Sequence, residues 1–278
     1  MTFRVRFWGV RGSVPMPGAS TVRYGGNTSC VEVRAGDRVL ALDAGTGLVG
    51  LGRSLEPRRA LEVDLLMSHL HWDHIQGFPF FDPAFRKDAL VRIHGSSRFT
   101  ESFEEAFAAQ MGGVYHPVPF RSLPATIEFV SVRDRARIDL EGEVSVTMAD
   151  LDHPGGSIGY RIEYAGRSLV YATDHEHFTF VDPSLLALAK DADVLIYDAM
   201  YTDDEYVGNV GVHKVGWGHS TWQYGVRTAR EAGVRRLVLF HHDPFHDDAF
   251  LDGIERLARA AFPNTTVAFE GLELDLLA

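Results

Sequence analysis

The chain has 278 residues, 45% of them hydrophobic, enough to bury a large core within one domain over 1–278. Its formal net charge of −11 disfavours a broad basic surface that would gather phosphates, so a long nucleic acid is an unfavoured partner. A single cysteine, Cys30, excludes an intramolecular disulfide and a thiolate-based structural zinc site, as suits a reducing cytoplasm, and no run approaches the roughly 18 apolar residues of a membrane span.

In chain order, Thr2–Trp8 alternates like a strand and lacks the apolar core and cleavage site of a signal peptide. Gly9-Val10-Arg11-Gly12-Ser13-Val14-Pro15 reads as a tight turn, and Cys30 as a buried strand residue. Strands are expected over 3–8, 30–34, 38–42 and 63–67, with a short helix after Gly45. A helix over 97–110 carries Phe99, Phe103 and Phe107 at four-residue steps, a stripe that packs into a core, and the Pro- and Gly-rich 112–120 reads as a loop. Strands at 127–132, 144–149, 158–164 and 168–172 follow. The rest alternates: helix 184–190, strand 194–198, helix 220–232, strand 237–240, helix 246–260 and strand 265–269. Ser220 and Gln223 have capping-box spacing, which sets His219 just outside its helix. Such an order suits a mixed, layered α/β sandwich.

After the apolar strand ending at Met67 comes Ser68-His69-Leu70-His71-Trp72-Asp73-His74, three histidines and an aspartate within six residues. Packing requires nothing of the kind, whereas imidazole and carboxylate are the ligands that zinc, manganese and iron prefer. Further candidates stand where buried strands open into loops: His153, Asp174, and the adjacent His241 and His242. Asp43 stands likewise in Leu42-Asp43-Ala44-Gly45, where an aspartate also serves as a turn cap.

His69-x-His71-x-Asp73-His74, followed by a distant His, Asp and His, resembles the metallo-β-lactamase superfamily over nearly the whole chain. The resemblance implies a four-layer αββα sandwich and two divalent metal ions, zinc first, with manganese or iron as alternatives. It assigns His69, His71 and His153 to one ion, Asp73, His74 and a late histidine to the other, and Asp174 as the bridge. His241 is the expected late ligand and His242 the alternative. Asp43 matches the family's strand-end aspartate that orients a ligand histidine. Gly218-His219-Ser220-Thr221 looks like the His-Ser-Thr motif of ribonuclease Z and its phosphodiesterase relatives, in which the histidine faces the scissile phosphate. A plain polar residue before a helix is the simpler reading of His219. Gly9–Pro15 and Tyr24-Gly25-Gly26-Asn27-Thr28-Ser29-Cys30 resemble the same branch, which includes phosphoribosyl cyclic phosphodiesterases and cyclic-nucleotide phosphodiesterases.

These features lead to a metal-dependent phosphodiesterase in which Asp73 and His219 serve catalysis and the substrate is a small, cyclic phosphodiester. The acidic composition supports a small substrate, as does the lack of the long basic arm by which ribonuclease Z holds transfer RNA. The alternatives are a ribonuclease Z-like RNA endonuclease and a sensor that keeps the metals without turnover. Related enzymes commonly pair, so a homodimer is compatible, although no residue specifies one.

Overall fold

The computed structural model describes residues 1–55, 60–96, 102–132 and 137–278. Along β1 (Phe3–Gly9), Phe3, Val5 and Phe7 are buried while Arg4 and Arg6 face outward, the period of a strand with one face on a core. Among the described residues β1 belongs to a seven-stranded sheet, in which it lies between β14 (Glu273–Asp275) and β2 (Cys30–Ala35). The sheet continues through β3 (Arg38–Leu42), β4 (Leu61–Leu66), β5 (Ala89–Gly95) and β6 (Thr126–Ser131). A second seven-stranded sheet runs β7 (Arg137–Leu140), β8 (Val144–Leu151), β9 (Ser157–Tyr164), β10 (Arg167–Ala172), β11 (Val194–Asp198), β12 (Arg236–Phe240) and β13 (Thr265–Val267). Each sheet is antiparallel on one side and parallel on the other, the parallel side being β3 to β6 in the first and β10 to β13 in the second. Strands such as β11 are buried throughout, as parallel strands covered on both faces must be.

Phe3, Val5, Phe7, Val33, Leu40 and Leu42 of the first sheet pack between the layers against Val146, Tyr160, Ile162, Tyr171, Ile196 and Phe240 of the second. The outer face of the first sheet is covered by α1 (Gly47–Ser54), through Leu48 and Leu51, and by Phe78, Phe81, Phe103 and Phe107. That of the second is covered by α4 (Pro183–Ala189), α6 (Trp222–Ala232) and α7 (Asp248–Ala261). The order of layers is αββα, with the one-turn helices α2 (Trp72–Ile75) and α5 (Asp203–Tyr206) in the connections. No helix among the described residues is long and apolar enough to cross a membrane.

Several expected elements shift. The helix expected over 97–110 is α3 (Phe103–Ala108), with Ser102 and Glu105 forming its capping box, and it ends in a 3-10 turn at Ala109–Met111. Phe103 and Phe107 of the stripe are buried, while Phe99 lies outside the described residues. α6 starts two residues later than expected because Thr221, not Ser220, accepts the capping bond, from the Tyr224 amide. The Ser220 hydroxyl is instead engaged by His177 and Tyr197, and Gln223 accepts from the Asp203 amide. Strands β5, β7 and β14 were not anticipated. β5 alternates buried and half-buried residues at its start, a readable signal, whereas β14 is three residues long.

Candidate metal centre

The first sheet's β3 and β4 and the second sheet's β8, β10, β11 and β12 all end near one edge of the sandwich, and the chain turns there. Three strand-end residues, Asp43, Asp174 and His241, take left-handed backbone conformations with φ of 61°, 48° and 61°. Asp and His are among the non-glycine residues that tolerate this region, at a cost of about 1–3 kcal/mol each. The turn swings each side chain over the sheet edge instead of along the strand.

Asp174 lies at the centre. Its Oδ1 is 3.1 Å from Nε2 of His74 and of His241, and its Oδ2 is 3.5 Å from His69 Nε2 and 3.6 Å from His153 Nε2. Asp73 Oδ2 closes one side, 3.2 Å from His241 Nε2 and 3.3 Å from His74 Nε2. On the other side His71 Nδ1 and His153 Nε2 are 3.1 Å apart. Among the described residues two donor sets flank this carboxylate, His69, His71 and His153 with Asp174, and Asp73, His74 and His241, and a third grouping of Asp174, Asp198, His219 and His241 overlaps them, with His219 Nδ1 already taken by Asp198.

The protein holds the outer ring nitrogens of His69, His74 and His153, which determines where their inner lone pairs face. His74 Nδ1 donates to Asp43 Oδ2 at 2.7 Å, and His153 Nδ1 to the Gly218 carbonyl at 2.7 Å. Asp43 also accepts from the Ser68 amide and hydroxyl and from the Tyr171 hydroxyl, so it is a fully engaged orienting group. His69 Nδ1 meets Ser68 Oγ at 3.0 Å, while its Nε2, buried and facing Asp174, has no hydrogen-bond partner among the described residues. Imidazole nitrogens about 3 Å apart with lone pairs converging, two carboxylates among them and one nitrogen unpaired, make a poor hydrogen-bond network but a donor set that fits divalent cations.

Electrostatics agree with this fit. Burial, with the nearby His74, holds the His69 pKa well below the ordinary histidine range, so its ring is neutral as a ligand must be. Burial opposes a charge on His74 too, but the carboxylates of Asp174, Asp73 and Asp43 outweigh it and push its pKa well up. The negative potential behind that shift is one a cation would neutralise.

His242 points elsewhere: its Nε2 bonds the Ala268 carbonyl at 2.8 Å and its ring lies edge-on to Tyr24. The two adjacent histidines are thus separated, with His241 in the cluster and His242 outside it. His219 stacks on His241 with ring centroids 5.0 Å apart, and Asp198 Oδ2 accepts from its Nδ1 at 2.9 Å. Burial works against its charge, but Asp198 prevails and raises the pKa to about 9.

Asp198 and Glu176, which shape the site, were not singled out from sequence, and the Gly9–Pro15 turn contributes three further groups. Asp198 ends β11 as Asp43 follows β3, a strand-end signal that was readable. Glu176 accepts from the Gly216 and Gly218 amides and the Tyr206 hydroxyl, and so holds the segment that presents the Gly218 carbonyl to His153. The Ser13 amide donates to Asp73 Oδ2 at 2.7 Å, and buried Arg11 ties its turn to the Asp243 and His246 carbonyls. Gly12 packs so closely on the His241 ring that a Cβ would collide with it. These contacts are made between segments far apart in the chain, and no local pattern encodes them.

A family model described as the β-lactamase superfamily domain matches residues 38–242, which include every candidate ligand. The chain belongs to the metallo-β-lactamase superfamily. Ribonuclease Z of Mycobacterium sp. (strain KMS) is 30% identical over 239 residues, covering 82% of this chain and 78% of that protein. Ribonuclease Z of Gemmatimonas aurantiaca is 41% identical over 91 residues, only 33% of this chain and 27% of that protein. Among solved structures, Zn(2+)-bound PqqB from Methylobacterium extorquens superposes with a TM-score of 0.73 at 17% identity, over 98% of this chain and all (100%) of that one. A new diphosphatase from the PhnP family gives a TM-score of 0.70 at 18% identity, over 99% and 97% of the two chains. Both establish likeness of fold.

Proposed function

We propose that this protein is a two-metal phosphodiesterase that hydrolyses a small, cyclic phosphodiester, either a cyclic nucleotide or a ribose cyclic phosphate. The observation that carries the reading is the Asp174 carboxylate, whose two oxygens face separate histidine sets at 3.1–3.6 Å. His69, His71 and His153 would hold one ion and Asp73, His74 and His241 the other. Zinc is the first choice, with manganese or iron as alternatives. Two such ions supply Lewis-acid neutralisation of the phosphoryl oxygens and an activated water nucleophile.

The chain's own groups do the rest. Asp73, held by the Ser13 amide, keeps its carboxylate turned into the cluster. His219, cationic at neutral pH because of Asp198, has Nδ1 engaged and Nε2 left to give a proton to the leaving oxygen. The positive φ of Gly218 lets the backbone pass so close to His153 that a side chain there would strike the ring.

Relatives named ribonuclease Z support phosphodiester chemistry, and a neighbour named as a diphosphatase supports attack at phosphorus more broadly. The net charge of −11 favours a small substrate over a long RNA. Cytoplasmic location belongs to the same reading, on the strength of the single buried thiol of Cys30. An RNA endonuclease is the second reading, favoured by the ribonuclease Z match over most of the chain.

The deciding experiment compares 3′,5′-cyclic AMP, a ribose cyclic phosphate and a precursor tRNA on zinc- or manganese-loaded protein at several salt concentrations. Cyclic phosphodiester turnover, abolished by chelation, is expected to dominate. Site-specific tRNA cleavage without cyclic-nucleotide hydrolysis would establish the second reading, and lactam hydrolysis alone would overturn both.

A further inference from the structure

Between Tyr206 and His219 the chain runs Val207-Gly208-Asn209-Val210-Gly211-Val212-His213-Lys214-Val215-Gly216-Trp217-Gly218. This glycine-punctuated segment is held from beneath. Besides the grip of Glu176 on the Gly216 and Gly218 amides, the Lys214 amide donates to the Tyr206 carbonyl and the Trp217 amide to the Lys214 carbonyl, each at 3.0 Å. The backbone is therefore ordered, yet Trp217 remains 50% exposed. Val207, Val210, Val212 and Val215 of the same segment are exposed as well, so Trp217 belongs to an apolar stretch of the kind that marks a binding surface.

Lys214 and Trp217 act as a pair. The Lys214 ammonium sits 4.1 Å from the Trp217 ring centroid and 5.4 Å from that of Tyr201, and Tyr201 in turn lies edge-on to His219 at 6.0 Å. Among the described residues no carboxylate forms an ion pair with Lys214, although the chain carries a net charge of −11. A cation without an ion-pair partner, over a ring that packs on the candidate proton donor, favours an anionic ligand near the site. Trp217 is also next in sequence to Gly218, whose carbonyl holds His153. An aromatic platform and a cation beside a phosphodiester site match the two parts of a nucleotide.

We infer that Trp217 and Lys214 form a substrate-recognition arm, in which Trp217 stacks the nucleobase and Lys214 attracts the phosphate, so that the substrate is a cyclic nucleotide rather than a base-free ribose cyclic phosphate. The inference rests on the phosphodiesterase reading and narrows it. Stacking on an aromatic side chain tolerates any base, so the arm selects for a base without selecting which.

The test measures kcat/KM for 3′,5′-cyclic AMP and for a base-free ribose cyclic phosphate on the metal-loaded protein, and takes their ratio. Trp217→Leu should lower that ratio about tenfold, whereas Trp217→Phe should keep most of it, because a phenyl ring still stacks. Lys214→Ala should lower kcat/KM for both substrates together, with Lys214→Arg restoring it. An unchanged ratio in Trp217→Leu, or equal losses in the Leu and Phe variants, would overturn the inference. If neither substrate turns over, the phosphodiesterase reading fails by itself. AMP binding by equilibrium dialysis to wild type and Trp217→Leu then decides the arm, with equal affinities refuting it.

Discussion

His74 and His241 lie wholly inside the protein, whereas His71, in the other donor set, is exposed to solvent. The buried set is anchored by charge: Asp43 grips His74 and is itself engaged by Ser68 and Tyr171. The open set is anchored by backbone, with the Gly218 carbonyl on His153 and Glu176 fixing the segment that carries it. The difference separates two tasks. A charged, dehydrated support would fix one ion rigidly, and a backbone-held set that reaches solvent through His71 would leave the second accessible to an incoming phosphate.

Asp174 turns Oδ2 toward His69 and His153 and Oδ1 toward His74 and His241, so Asp174→Ala should have the largest effect. Metal content should fall from about two ions to less than one per chain, with activity lost by more than about a thousandfold, as measured by elemental analysis and turnover. Retention of both ions would mean that the two sets do not depend on a shared carboxylate. Next is His219→Ala, which removes a ring packed on His241 but none of the groups that hold the two sets: turnover should fall by about 10²–10⁴-fold while metal content stays unchanged. Loss of metal in that variant would make His219 a ligand.

Asp43→Asn tests the contrast most directly. It removes the charge behind His74 and leaves Ser68 and Tyr171 competing for a single acceptor oxygen. Affinity for one of the two ions should weaken by about 10–100-fold, and titration should become biphasic. Equal weakening of both ions would erase the distinction between the sets. The smallest effect belongs to His242→Ala. This variant should keep both ions and lose about 1–3 kcal/mol of stability from the unpaired Ala268 carbonyl, read as a lower midpoint in denaturant. Loss of metal here, with His241 intact, would contradict the separation of the two histidines.

Much of this site was legible along the chain because its densest part is local. His69, His71, Asp73 and His74 fall within six residues of a strand end, and no packing requirement explains them. The same holds for the fold, since alternation marks β1, β8 and β9, and apolar runs mark β11 and β12, all without reference to any partner strand. What stayed hidden depends on contacts across the sheet edge. The capping of α6 shifted from Ser220 to Thr221 because His177 and Tyr197, distant in sequence, compete for the Ser220 hydroxyl. Only the family resemblance favoured His241 over His242 along the chain, and the left-handed turn at His241, with Gly12 packed beneath its ring, is what sends one inward and the other to Ala268. Asp198 and Glu176 likewise acquire their roles only through His219 and the Gly216 and Gly218 amides. The sequence alone determined which donors are available and the strands that carry them, because those signals need only a few neighbouring residues. Only the tertiary structure decided which donors converge and what orients them, because that depends on where strand ends from two separate sheets meet.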